Sequence, residues 1–79
     1  MPTVLQSNGF DVKIYTNDHL PRHVHVWHAG AEVVINLDTL DIREVNRHAT
    51  SRIIRQAWQL VAANQEYLLS EWDRISPVP

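Results

Sequence analysis

The first half of the chain alternates. In Phe10–Tyr15, Phe10, Val12 and Ile14 fall on one side and Asp11, Lys13 and Tyr15 on the other. That period of two marks a half-buried strand. It returns in Arg22–His28, where Val24 and Val26 oppose His23, His25 and Trp27. It returns again in Ala31–Leu37, where Ala31, Val33, Ile35 and Leu37 oppose Glu32 and Asn36. Thr3–Gln6 is a shorter strand, closed by the turn signal Ser7-Asn8-Gly9, where glycine can take positive φ. His28-Ala29-Gly30 suits a hairpin turn. The stretch Thr16–Pro21 breaks the alternation, because proline cannot donate to a ladder. Asp38–Asn46 holds a turn and leaves room for a short strand over Ile42–Val45.

From Ser51 the period becomes helical. Ile53, Ala57, Leu60, Val61, Asn64, Leu68, Glu71, Trp72 and Ile75 share one broad face, with Arg52, Arg55, Gln59, Glu66, Ser70 and Asp73 opposite. Thr50 or Ser51 is a suitable N-cap, and Pro77 and Pro79 close the helix. A single helix of about 24 residues is long by the usual distribution, and Asn64 is where a break would fall. The pattern therefore predicts one α+β domain over residues 1–79. Strands occupy about 3–45 and a helix about 51–75. They form a small antiparallel sheet of three to five strands packed against a long C-terminal helix. In that arrangement Val24 and Val26 lie under the helix. His23 and His25 point away from it, about 7 Å apart by strand rise. Lys13, Tyr15, Trp27, Glu32 and Asn36 share their face, and Asp18 and His19 reach its edge from a loop.

Composition narrows the picture. A chain of 79 residues buries only about 60% of its unfolded surface and gains from a disulfide, a metal or a partner chain. It has no cysteine, which excludes disulfides and thiolate zinc sites and leaves histidine-bound metal or association, including a possible oligomer. No apolar run approaches the roughly 20 residues of a membrane span, and the start lacks the basic residues and apolar core of a signal peptide. A cytoplasmic protein without a membrane partner is expected. The net charge of −2 argues against a general nucleic-acid coat. Arg43, Arg47, Arg52 and Arg55 nonetheless make a local basic stretch able to face an anion, set against the plainer reading of solvated helix and loop charge.

Four of the five histidines lie between His19 and His28, beside Asp18 and Arg22. Three uses are open to them. His23 and His25 could act as an acid–base pair near neutral pH, with Arg22, Lys13 or the later arginines on a phosphate, which are the parts of a metal-independent ribonuclease. They could bind a metal with His19 or Asp18 as third ligand and Glu32 behind. They could serve recognition, with Tyr15 and Trp27 stacking on bases or fitting a partner. One His-x-His pair and a loop carboxylate make a thin ligand set, so no cofactor and no tightly held metal are expected.

The segment Asn17-Asp18-His19-Leu20-Pro21-Arg22-His23-Val24-His25-Val26, the opening Met1–Leu5, Gly9-Phe10, Glu32 and the closing helix together resemble a family of small bacterial proteins long described only as a domain of unknown function. The DhiT toxin is of this type. The resemblance covers nearly the whole chain. It implies the toxin of a type II toxin–antitoxin pair, with a cognate antitoxin encoded alongside. Asp18, His19, Pro21, His23, His25 and Glu32 are the positions that carry over. Many relatives have proline where this chain has Arg22. The leading expectation is a toxin that acts by RNA cleavage or another attack on translation, with His23, His25, His19 and Asp18 as catalytic group and Arg22, Lys13, Tyr15, Trp27 and Glu32 facing substrate or partner. A non-catalytic protein- or nucleic-acid-binding module is the second reading, and a metal-dependent hydrolase the third.

Overall fold

The computed structural model describes residues 3–16 and 18–76. Met1, Pro2, Asn17 and 77–79, with Pro77 and Pro79 as helix terminators, lie outside the described residues. Five strands follow one another: β1 (Thr3–Ser7), β2 (Phe10–Lys13), β3 (His23–His28), β4 (Ala31–Asn36) and β5 (Ile42–Val45). They form one antiparallel sheet in the order of the chain. Asn8 and Gly9 turn β1 into β2, both at positive φ, and Ala29 and Gly30 do the same between β3 and β4. Positive φ at both central residues gives the tight hairpin whose twist matches the strands.

The helical stretch is not one rod. It divides into α1 (Ser51–Ala63) and α2 (Gln65–Ile75). The Thr50 side chain accepts from the Ile53 N–H and caps α1. At the other end Asn64 Nδ2 donates to the Leu60 carbonyl at 2.8 Å. A side chain that bonds back to the preceding turn competes with the backbone ladder and bends it. The amphipathic stripe survives the break: Ala57 and Val61 of α1 and Leu68 and Trp72 of α2 are all fully buried. They meet Phe10, Val12, Ile14, Val24, Val26, Val33, Ile35 and Leu37 in one core. These are the sheet positions that the alternation assigned to the helix side.

Polar contacts tie the helices to the strands. Trp58 Nε1 donates to the Leu40 carbonyl at 2.8 Å, and the Tyr67 hydroxyl to the Val4 carbonyl at 2.8 Å. The Gln65 amide donates to the Leu37 carbonyl at 2.7 Å. Arg22 bridges layers, 2.7 Å from Asp38 and 3.2 Å from Asp73 of α2. Hydrogen bonding to Asp38 raises its pKa above the ordinary guanidinium value.

Candidate functional site

The second face of the sheet is half-buried. Asp18, in the connection between β2 and β3, reaches the imidazoles of β3 and is pinned locally: the Tyr15 N–H donates to Asp18 Oδ2, and the Asp18 N–H to the Tyr15 carbonyl, both at 3.1 Å. Asp18 is thereby held over the start of β3. Beneath it Val34 is 4% exposed, although it lies on the face turned away from the core. The run Val33-Val34-Ile35 was the available signal: consecutive apolar residues mark a strand covered on both sides.

His25 pairs in register with Lys13 on β2 and Val34 on β4. Its ring stands edge-on to Tyr15, with centroids 4.5 Å apart. Trp27 Nε1 donates to the Tyr15 hydroxyl at 3.3 Å, so the expected neighbours of His25 do share its face. His23 departs from expectation. It is 5% exposed, and its ring centroid lies 5.4 Å from that of Trp72. As the first residue of β3 it stands at the end of the sheet and touches both layers. Its ring is also edge-on to His25 at 5.1 Å. Tyr15, His25, His23 and Trp72 thus form a continuous file of rings from the second face into the core.

The hydrogen bonds fix which nitrogen of each imidazole is available. His25 Nδ1 lies 2.9 Å from Glu32 Oε2; a carboxylate only accepts, so Nδ1 carries a proton, and in the neutral ring Nε2 carries the lone pair. His23 Nδ1 lies 2.8 Å from the Pro21 carbonyl, which requires the same tautomer. Arg43 Nη1 lies 3.2 Å from that same nitrogen. A guanidinium has no lone pair to offer, and Nδ1–H cannot accept from it. The shorter contact to the carbonyl decides the tautomer, and the Arg43 cation stands beside the ring without bonding to that atom. Both Nε2 atoms then face one carboxylate, His23 Nε2 at 3.6 Å from Asp18 Oδ1 and His25 Nε2 at 3.4 Å from Asp18 Oδ2. His25 Nε2 is buried without a hydrogen-bond partner.

A family model described as a domain of unknown function, DUF4160, matches residues 9–73. The chain belongs to that family. No curated protein and no solved structure matches it. The DUF4160 match runs from Gly9 to Asp73 and so contains every residue of this centre.

Around the centre of this DUF4160 chain is a shallow pocket of about 240 Å³ lined by Asp18, His19, His23, His25, Arg43 and Glu44, with Val34 at its floor. His19 is exposed there. The arrangement brings together Asp18, His19, His23, His25 and Glu32, with Tyr15, Trp27 and Lys13 around His25. It does not bring in Arg22, whose guanidinium is engaged by Asp38 and Asp73. Arg43 stands in its place as the cation nearest the histidines. Nothing in the sequence singled it out from Arg47, Arg52 and Arg55, because the irregularity that aims it arises in the pairing of β4 with β5, between Val34 and Ile35. A larger cleft, lined among others by Asn8, His28, Arg52 and Gln56, lies elsewhere. There His28 stacks on Phe10 at 4.2 Å, a packing role. We place the chemistry in the smaller pocket because that is where lone pairs and carboxylates converge. Among the described residues, no helix is long and apolar enough to cross a membrane.

Proposed function

We propose that this protein is the toxin of a type II toxin–antitoxin pair, acting in the cytoplasm through the centre formed by Asp18, His23 and His25. It acts by RNA cleavage or by another attack on translation. The observation that carries this reading is the convergence of two imidazole lone pairs on one carboxylate, with Arg43 alongside. Phosphodiester cleavage needs a base to take the proton of the attacking oxygen, an acid to protonate the departing oxygen, and a cation for the charge that develops on the non-bridging phosphoryl oxygens. The His23 and His25 imidazoles and the Arg43 guanidinium are groups of those kinds. Glu32 positions His25 through Nδ1, and His19 at the pocket rim is accessible to a substrate. A cognate antitoxin encoded alongside would hold the centre inactive.

Induced expression tests this. The parent should arrest growth with loss of RNA integrity. Asp18→Asn with His25→Ala should abolish the arrest while circular dichroism stays unchanged. A folded double variant as toxic as the parent would remove the centre from the mechanism.

A second reading, a non-catalytic binding module, has its own support. Every residue of β5 is exposed. Ile42, Val45 and the adjacent Trp58 are 45%, 43% and 38% exposed. An unpaired edge beside apolar side chains accepts a strand from another chain. Under the toxin reading that edge serves the antitoxin or a second copy. Under the alternative it is the functional surface, and RNA stays intact in arrested cells.

A further inference from the structure

We infer that Asp18, His23 and His25 form a binding site for a divalent first-row transition-metal ion, zinc first among them. The sequence offered a thin ligand set; the side-chain geometry supplies what it lacked. One ligand atom from each residue lies within 4.8 Å of the others. More telling is what those atoms are. With both Nδ1 atoms donating, to Pro21 and to Glu32, both Nε2 atoms of the neutral rings present lone pairs to a carboxylate that itself only accepts. Three acceptors directed at one another repel unless something positive stands between them.

Two occupants are chemically available, a proton and a metal ion, and the distances separate them. A proton shared between imidazole and carboxylate draws nitrogen and oxygen to roughly 2.7–2.9 Å. The observed separations are 3.6 Å for His23 and 3.4 Å for His25. Ligand atoms about 2.0–2.1 Å from a tetrahedral zinc ion stand roughly 3.3–3.4 Å apart. The two Asp18 pairs, each made to a different carboxylate oxygen, lie nearer the second spacing than the first. The outer contacts match as well. A metal-bound histidine typically gives its other N–H to a carboxylate or a backbone carbonyl, which fixes the ring and its tautomer. Glu32 is such a carboxylate at 2.9 Å from His25, and the Pro21 carbonyl is its counterpart at 2.8 Å from His23. Asp18 is likewise steadied by the Tyr15 N–H. Two imidazoles and one carboxylate leave at least one coordination position for water or substrate, the donor set of a catalytic rather than a structural site.

This inference concerns the same residues as the toxin reading but does not depend on it, because binding is measured without growth; a bound ion would take both Nε2 lone pairs, so in the loaded centre the base would be a water at the open position and not an imidazole. Untagged full-length protein is dialysed against chelator, then titrated with zinc by calorimetry and with cobalt by visible absorption. We expect one ion per chain, a cobalt d–d band of a nitrogen–oxygen site, and a melting temperature that rises with zinc. Asp18→Asn should weaken zinc at least tenfold. Glu32→Gln, which touches no metal, should weaken it about 10–100-fold, the usual cost of losing an outer partner. His48→Ala, at an exposed loop histidine, should leave it unchanged. Nitrogen-15 spectra of the wild-type imidazoles give a readout that needs no variant: zinc should shift Nε2 of His23 and His25 while Nδ1 stays protonated. Absence of stoichiometric uptake overturns the inference. So does an equal loss in His48→Ala, or a zinc-saturated spectrum in which neither Nε2 moves. Metal uptake by a chain that does not arrest growth would sink the toxin reading and leave the site standing.

Discussion

The two faces of the sheet are built by different physics. The helix face is a continuous apolar surface in which Val12, Val24, Val26, Val33 and Ile35 close against Ala57, Val61, Leu68 and Trp72. Nothing there depends on a particular atom pointing at another. The second face is half-buried, and its contents are directional: Asp18 at two imidazoles, Glu32 and the Pro21 carbonyl behind them, Tyr15 and Trp27 at the side. Burial on the first face stabilises the fold. On the second, acceptors are brought together that would separate if the loop were released. The comparison teaches how a small chain divides its work: the helix layer buries apolar surface, with Trp72 Nε1 left without a partner, and the second face gathers polar atoms around Asp18.

Breaking the helix face should have the largest effect. Trp72→Ala removes a fully buried ring and should cost about 3–5 kcal/mol in chemical denaturation. That is a large share of the stability of a typical domain. Because Trp72 also packs on His23, Trp72→Phe should keep the fold and still perturb the His23 imidazole resonances. A Trp72→Ala protein that melts like the parent would show that the core is not where the burial puts it.

The second face should give less. Val34→Ala deletes the equivalent of two methylenes from a side chain 4% exposed, or roughly 1.6 kcal/mol at about 0.8 kcal/mol each. If the loop were only loosely laid over the sheet, the cost would be near zero. That one measurement therefore separates a sealed second face from an open one. Thr50→Ala, which loses the side-chain cap on the Ile53 N–H, should cost about 1 kcal/mol.

The same contrast explains what was legible in the sequence. Strand alternation needs only local periodicity, so the strands appear where expected, including the short strand Ile42–Val45, and the apolar face of β2, β3 and β4 lies in the core. The position of the helix break was visible at Asn64. That the break occurs depends on the bond from its side chain to the Leu60 carbonyl. That His25 and Glu32 share a face was legible because strand alternation puts them on one side, with Asp18 reaching its edge from the loop. The burial of His23 was not: strand alternation assigns a face and says nothing about where the sheet ends. Arg22 and Arg43 exchange their expected places for a similar reason. Arg22 is taken up by Asp38 and Asp73, residues 16 and 51 positions away, and no local pattern encodes such partners. The tautomers that turn two histidines into convergent lone pairs depend on one backbone carbonyl and one carboxylate. Side-chain identity alone cannot express that.

The smallest expected effect tests whether the charges of the helix layer are as well satisfied as they look. Glu71 interrupts the apolar stripe yet lies 2.6 Å from Arg74 through Oε1, with a second contact through Oε2. Hydrogen bonding to Arg74 lowers the pKa of Glu71 below the ordinary carboxylate range. A depressed folded-state pKa means that the unfolded chain takes up the proton first as pH falls. The pair's stabilisation is therefore fully present above the unfolded value near 4.3 and is lost as pH drops through the folded value. Arg74 is well exposed, and exposed pairs contribute little. Arg74→Gln should consequently leave the melting temperature nearly unchanged once the pH is below the folded value and lower it slightly near neutral pH, with the difference opening between them. Melting curves of parent and variant across that range would decide it. Parallel curves with a constant offset would mean that Arg74 acts through packing of its stem and not through the Glu71 charge.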